Sequence, residues 1–330
     1  MKNIVTIGGG TGSFVLLSGL KKYPINISAI VSMADDGGSN GMLRDELGVL
    51  PPGDAKQCLL ALSDCSQILR KLMNYRFSEG RLRGHSFGNL FISALEKIKK
   101  DFAKAIIEAS KILSIKGEVI PAVDKSVQIH IKLKNGKVII GENNLDHNEE
   151  IRKIGLDKIY FKKEVRAYPE AVLRIKKADF IIIGPGDHYG SILPNLIVKG
   201  ISKAIRDSKA KVIYNCNITN KKGQTIGYDL DKYVSEINSF IGKDRINFVT
   251  YNSARPNKDS IELYEKLEGK NSLVLLNKNI KKRNFKIAES NLLQNKKINI
   301  SKKDLYARKH SFIRHNPDKL AKVLMSIIKK

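Results

Sequence analysis

The stretch IVTIGGGTGSFVLLSGL, residues 4–20, constrains this chain more than any other. A β-prone run ends in Gly8, Gly9, Gly10 and Gly12, and a helical apolar pattern starts at once. Lys2–Ile7 is expected as a buried strand, Ser13–Lys22 as a helix and Ile27–Met33 as a second strand. That order is a βαβ unit, which requires a parallel sheet covered by helices. Glycines at the carboxyl end of a first parallel strand let backbone N–H groups approach an anion, and the next helix turns its positive end toward it. A tight turn could need glycine for its φ freedom alone. The density of glycine at this junction favours the anion site. Gly8, Gly9, Gly10, Thr11, Gly12 and Ser13 are therefore read as a phosphate loop.

The dinucleotide fingerprint G-x-G-x-x-G is met by Gly8 and Gly10, but Ser13 stands where its third glycine belongs. The Walker lysine is absent, which argues against a P-loop NTPase. The second expected strand runs into SMADDGGSNGMLRDELGVLPPGD, residues 32–54. An NAD enzyme places one acid here on the ribose hydroxyls. This chain has two, Asp35 and Asp36, followed by Gly37, Gly38 and Ser39. Paired carboxylates beside a glycine turn can orient hydroxyls or hold a divalent cation such as Mg2+. An Asx-turn leading into the next helix is the structural alternative. Arg44 follows within two helical turns, placed to clamp a phosphate or carboxylate, or to pair with Asp45 or Glu46. Asp54, after Pro51-Pro52-Gly53, suits a helix N-cap. In RGHSFGNLFISAL, His85 and Asn89 lie four apart and share a helical face, as a pair of ligand contacts would. No other histidine or cysteine has ligand spacing to His85, so a zinc site is not expected.

Composition narrows the function classes. With 330 residues the chain can bury a sizeable core, and it is read as a single α/β nucleotide-binding domain over 1–330. Its 42% hydrophobic content argues against general disorder. No apolar run nears the ~20 residues of a membrane helix. Only Lys2 precedes the first apolar run, which ends in glycines rather than a cleavage site. The expectation is a soluble, cytoplasmic protein. Cys58, Cys65 and Cys216 form no C-x-x-C pair and read as reduced thiols. The net charge of +26 would concentrate anionic ligands. Lysines outnumber arginines 45 to 14 and tryptophan is absent. Neither feature suits a nucleic-acid partner, which calls on arginine forks and aromatic stacking.

Helical patterns follow at about Asp54–Leu62, Ser66–Asn74, Gly88–Lys99 and Phe102–Leu113. From Gly117 apolar and polar residues alternate around Asn135-Gly136, the strongest short-range hairpin signal. An antiparallel meander is expected as an insertion over about 117–165. Parallel-type strands resume in ADFIIIGPG, AKVIYNCN, RINFVTYN and NSLVLLN. The lysine- and asparagine-rich segment 278–303 reads as a mobile loop or solvated face.

The ordered set of motifs resembles one family, the gluconeogenesis factors, and their distant relatives the 2-phospho-L-lactate transferases. The resemblance rests on GGGTG at Gly8–Gly12, ADDGGS at Ala34–Ser39, PPGD at Pro51–Asp54 and GHSFGNL at Gly84–Leu90. It continues in ADFIIIGPGDHYGSILPNLIV at Ala178–Val198, SKAKVIYNCNIT at Ser208–Thr219 and IRHNPDKLA at Ile313–Ala321. It implies a Rossmann-like, mostly parallel doubly wound sheet with its crevice at the carboxyl ends of the strands. In the transferase branch that crevice holds a guanosine nucleotide and an alcohol that accepts a phospholactyl group. In the gluconeogenesis-factor branch, which this chain resembles more, it binds nucleotide sugars such as UDP-N-acetylglucosamine. That branch links carbon supply to cell shape and wall synthesis, so cell-wall regulatory proteins are implied partners. Carried over residue by residue, Gly8–Ser13 would cradle the diphosphate, with Gly186 nearby. Asp35, Asp36 and Ser39 would face hydroxyls, and Asn215 and Asn217 the base or ribose. Tyr264 and Arg314 match nucleotide-sugar positions. The chain departs from the pattern at Asp187, His188 and Gly190, where relatives read GPGSLYTS, and in ITNKKGQT at Ile218–Thr225. A transferase remains the alternative and an NAD oxidoreductase a more distant one. Oligomeric state stays open.

Overall fold

The computed structural model describes residues 1–280, 282–294 and 312–329. Seven strands form the main sheet: β1 (Asn3–Gly8), β2 (Asn26–Val31), β3 (Glu118–Pro121), β7 (Phe180–Ile183), β8 (Lys211–Asn215), β9 (Ile246–Asn252) and β10 (Lys286–Ser290). Three more, β4 (Ile129–Leu133), β5 (Val138–Ile140) and β6 (Leu156–Phe161), form a separate antiparallel sheet in the order β5-β4-β6. The main order is β10-β9-β8-β7-β1-β2-β3. Each neighbouring pair in it is parallel. Its central strands are buried on both faces, which is why they read as continuous apolar runs instead of alternating ones.

Two groups of helices flank this Rossmann-like sheet. The first contains α1 (Gly10–Leu20), α2 (Gly38–Leu47), α3 (Gly53–Leu62), α4 (Gln67–Asn74), α5 (Phe87–Lys99) and α6 (Phe102–Ile112), with the closing helix Pro317–Ile328 packed on α1. In the second, Pro169–Lys177, Ile201–Asp207 and Leu230–Ile241 pack together. The predicted helices lie within a few residues of these bounds. Side-chain caps account for several of the starts, among them Ser66, which accepts from the Leu69 N–H at 3.3 Å. Ser86 accepts from the Asn89 N–H at 3.3 Å, and Asp101 from the Lys104 N–H at 2.8 Å. Asp54 differs from expectation: Pro52 is the N-cap of α3, and Asp54 sits within the first turn.

Three strand assignments need correction. Glu118–Pro121 was expected inside the meander but is β3, a parallel edge strand beside β2. Val119 and Ile120 are successive and both buried, so the stretch does not alternate. The antiparallel insertion proper begins at β4, whose burial does alternate. NSLVLLN forms no strand; Leu273 makes one isolated bridge to Thr219, and Leu275 is exposed. The outer strand is β10, inside the segment expected to be mobile. It alternates exposed and half-buried residues at an edge, so it carries little apolar signal. Residue 281 and residues 295–303 of that segment lie outside the described residues. Cys58, Cys65 and Cys216 are free, the first and last buried. Among the described residues no helix is long and apolar enough to cross a membrane.

The two ends of the chain meet at Gly19. A Cβ there would lie 2.2 Å from the Pro317 carbonyl oxygen and 2.9 Å from Ala321 Cβ. Glycine inside a helix normally costs about 1 kcal/mol relative to alanine. Here the overpacking term, about 1–3 kcal/mol, opposes that gain. Gly19→Ala is therefore expected to lower the urea midpoint at unchanged slope. A raised midpoint would show that the closing helix is not in close contact with α1.

Candidate functional site

From β1 the chain steps outward through β2 to β3, and from β7 outward through β8 and β9 to β10. The order thus reverses between β1 and β7, and open α/β sheets bind ligands at such a switch point, beyond the carboxyl ends of the strands. A cavity of about 350 Å³ lies there. Gly9, Gly10, Thr11 and Gly12 line it from β1, and Pro185 and Gly186 from the turn after β7. A Cβ at Gly12 would come within 2.1 Å of the Pro185 carbonyl oxygen, so only glycine lets the two turns meet. Asn215 Nδ2 donates to the Gly184 carbonyl at 2.8 Å and Asn217 Nδ2 to the Gly186 carbonyl at 2.9 Å, fixing the second turn. Gly9 is the N-cap of α1 and brings no side chain to the first-turn amides, which have no acceptor within the helix.

Carboxylates crowd the other side of the loop. A Cβ at Gly9 would lie 1.9 Å from Asp54 Oδ2, and the Gly10 N–H donates to that carboxylate. Burial, reinforced by the Asp35 charge, pushes the Asp54 carboxyl up to about 8. Asp35 accepts from the Gly37 N–H at 2.9 Å and from Asn40 Nδ2 at 2.5 Å. Asn40 Oδ1 in turn accepts from the Gly53 N–H at 3.1 Å and from Asn89 Nδ2 at 3.0 Å. Ser39 Oγ stands 3.0 Å from His85 Nδ1 and accepts from Asn89 Nδ2 at 3.2 Å. Ser39, His85 and Asn89 are buried behind the wall, where this network orients Asp35; they do not line the cavity.

Asp36 diverges from Asp35. It accepts from the Asn143 N–H at 2.8 Å and stands 3.7 Å from Arg44, whose other partner is Asp45 at 2.9 Å. Arg44 thus takes its ion-pair alternative, and Asp35 with Asp36 do not converge on one cation. Gly38 opens α2 at φ +48° away from the cavity wall. Gly8 and Ser13 support the loop without lining it. The Gly8 carbonyl accepts from Asn195 Nδ2 at 3.4 Å, and buried Ser13 bonds the Cys58 thiol. Asn215 is fully buried and committed to Gly184 and Thr250. Of the expected contacts, Gly9–Gly12, Asp35, Gly186, Asn217, Tyr264 and Arg314 do share the cavity.

The structure adds residues that were not among the expected contacts. Glu142 and Asp146, from the inserted segment, reach the same cavity, as do Lys221, His188 and His315. Glu142 is held well above the usual carboxylate range by burial first and by Asp35 next. Burial would raise Asp187 too, but contact with Lys221 and the Gly190 N–H overcome it and hold Asp187 low. Lys221 also meets Asp146 at 2.6 Å. The acid that interrupts the family pattern therefore caps its own turn, accepting from Tyr189 and Gly190, and is neutralised by the next loop.

The far wall is built by Tyr264, Ile218 and Ile313, a small apolar cluster of their own, with Phe312 edge-on to Tyr264 at 4.7 Å between ring centres. Thr219 Oγ1 donates to the Tyr264 hydroxyl at 3.1 Å. Arg314 and His315 arrive on a segment pinned to the end of the β10 region: Gln294 N–H donates to the Arg314 carbonyl at 2.9 Å, and Asn316 N–H to the Leu292 carbonyl at 2.7 Å. Among the described residues no three His, Cys, Asp or Glu side chains form a ready ion cage. Asp35 and Asp54, both beside the glycine loop, are the hard oxygen donors that would suit a Mg2+ shared with a phosphate.

Comparison with known proteins gives the family and the fold. Residues 4–293 match the family model described as 2-phospho-L-lactate transferase CofD. The chain is 36% identical over 329 residues to the gluconeogenesis factor of Bacillus subtilis (strain 168), covering 99% of this chain and 98% of that protein. It is 42% identical over 243 residues to the gluconeogenesis factor of Halalkalibacterium halodurans, covering 73% of this chain and 74% of that one. A crystal structure of a member of the upf0052 family from Bacillus halodurans superposes with a TM-score of 0.87 at 34% identity, over 98% of each chain. With matches that span the glycine loop, the acidic turn and Tyr264, the chain belongs to the CofD family, alongside its gluconeogenesis factors.

Proposed function

We propose that the cavity binds a nucleotide sugar of the UDP-N-acetylglucosamine kind, and that binding serves regulation in the cytoplasm, tying carbon supply to wall synthesis and cell shape through wall-regulatory partners. One observation carries this reading: a helix N-terminus whose glycine N-cap offers its amides no side chain shares one cavity with Arg314 and with the ring of Tyr264. Amides and a guanidinium suit a diphosphate. An aromatic face beside Ile218 and Ile313 suits a flat ring. The volume of about 350 Å³ falls within the range of small-molecule sites.

The carboxylates favour a second reading, a nucleotide-dependent phospho-group transferase. Asp35 and Asp54 would hold Mg2+ against a phosphate, and the ion would offset the charge the acids add. That reading requires Mg2+-dependent product from a nucleotide-activated donor, lost in Asp35→Asn. The regulatory reading requires binding without product.

Calorimetry with UDP-N-acetylglucosamine separates them from inactivity: heat of binding is expected, and silence at millimolar ligand would end the nucleotide-sugar reading. Arg314→Ala is expected to weaken binding by about 1.5–3 kcal/mol, roughly ten- to more than hundredfold, with the unfolding midpoint nearly unchanged. An unaltered dissociation constant would remove Arg314 from the site. Asp54 gives a pH signature. Its folded-state value near 8 lies above the unfolded carboxylate value, so the wild type loses stability as pH rises between them. The stability advantage of Asp54→Asn over wild type should widen from about pH 4 to about pH 8 and then level off. A constant difference across that window would place a charged carboxylate beside Gly10 throughout it.

A further inference from the structure

Buried polar side-chain atoms are almost always partnered, and an exception asks for a cause. Two such orphans belong to residues that line the cavity: His188 Nδ1 and His315 Nε2. At His188 the other nitrogen faces the Glu236 carboxylate at 2.9 Å, an ionisable partner. At His315 the other nitrogen faces the backbone of Cys216. The bond favours a protonated nitrogen, so the carbonyl accepts and Nδ1 donates. Burial holds the ring neutral, lowering it to about 4 despite that bond. Nε2 is then a bare lone pair. It is an acceptor with nothing to accept from, on a residue only 7% exposed.

The bond to Cys216 holds the ring, and the segment that carries His315 is itself pinned. Its backbone pairs with Leu293 in an antiparallel bridge, and both flanking residues hydrogen-bond the same strand end. Tyr264, Ile218 and Ile313 line the same cavity, apolar or aromatic surfaces suited to a flat heterocycle more than to a sugar ring.

We infer that His315 is a specificity-determining residue: its Nε2 accepts the imide N–H of a nucleobase seated against Tyr264. Uracil carries that imide and guanine an equivalent lactam N–H, and alkylating the nitrogen removes the donor in either. This deepens the nucleotide reading above and rests on it. A site with a buried lone acceptor discriminates against a ligand lacking the matching donor more strongly than an apolar site discriminates against a missing methylene.

The probe is uridine or guanosine diphosphate, whichever binds more tightly, compared with its counterpart methylated on the imide nitrogen. Nitrogen-15 spectra of histidine-labelled wild-type protein report on the ring itself. Before ligand, His315 is expected as the Nδ1–H tautomer with Nε2 unprotonated at neutral pH. The unmodified nucleotide should shift the Nε2 resonance in the sense of an accepted hydrogen bond, and the methylated one should bind about tenfold or more weakly without that shift. In His315→Gln, which keeps an acceptor, part of the preference should survive; in His315→Leu it should vanish. Equal affinity for both nucleotides with an unmoved Nε2 resonance overturns the inference while leaving the nucleotide site standing. Failure of every nucleoside diphosphate to bind overturns the inference and the nucleotide reading together. A resting Nε2–H tautomer overturns the inference whatever binds.

Discussion

The approach of Gly12 to the Pro185–Gly186 backbone is the contact on which the rest of the structure depends. It closes the seam between β1 and β7, where the strand order reverses, and it aims the start of α1 into the space between the two halves. Any side chain at Gly12 would push the helix N-terminus away from the second turn. The amides of that first turn would then face solvent. The anion site and the fold share one steric requirement.

Once the seam is closed, charge becomes the governing problem. Asp35, Glu142, Asp146 and Asp187 face a cavity proposed to hold a diphosphate. Lys221 neutralises Asp146 and Asp187, and burial holds Glu142 and Asp54 toward their protonated forms. Asp35 is the acid stabilised in place, by the Gly37 amide and by the Asn40 network. The cavity is therefore less negative than its residue list suggests. The chain's overall positive charge, +26, adds long-range attraction for anions without forming any of these contacts.

The sequence made the first βαβ unit legible because its signals are local: an apolar run, glycines and a helical stripe lie within residues 4–20. The glycine loop, Asp35, Asn217, Tyr264 and Arg314 could be anticipated on the same kind of local motif or by family pattern. Other features were hidden for physical reasons. β10 is a half-exposed edge strand of alternating burial, and β3 is a four-residue strand recognisable only from its partner β2. His85, Asn89 and Ser39 have the chemistry of ligand contacts, yet they spend it on one another and on Asn40. Glu142 and Asp146 reach the cavity from the insertion, and no spacing rule links residues 142 and 35 along the chain. Asp187 departs from the family pattern, and the sequence does not show its neutralising partner because Lys221 lies on a different loop.

That last pairing shows how the far wall is assembled. Tyr264, Ile218 and Lys221 follow strands on one side of the seam, whereas Arg314 and His315 come from near the end of the chain. That segment meets the main sheet where His315 bonds the Cys216 backbone, just past β8. It is placed by a short antiparallel pairing to residues 292–294 and by the helix Pro317–Ile328 docking on α1 at Gly19. The helix that presents its N-terminus to the ligand on one side thus supports, on its flank, the element that delivers the guanidinium and the imidazole. A shift of α1 would move both ends of the proposed ligand's environment in concert.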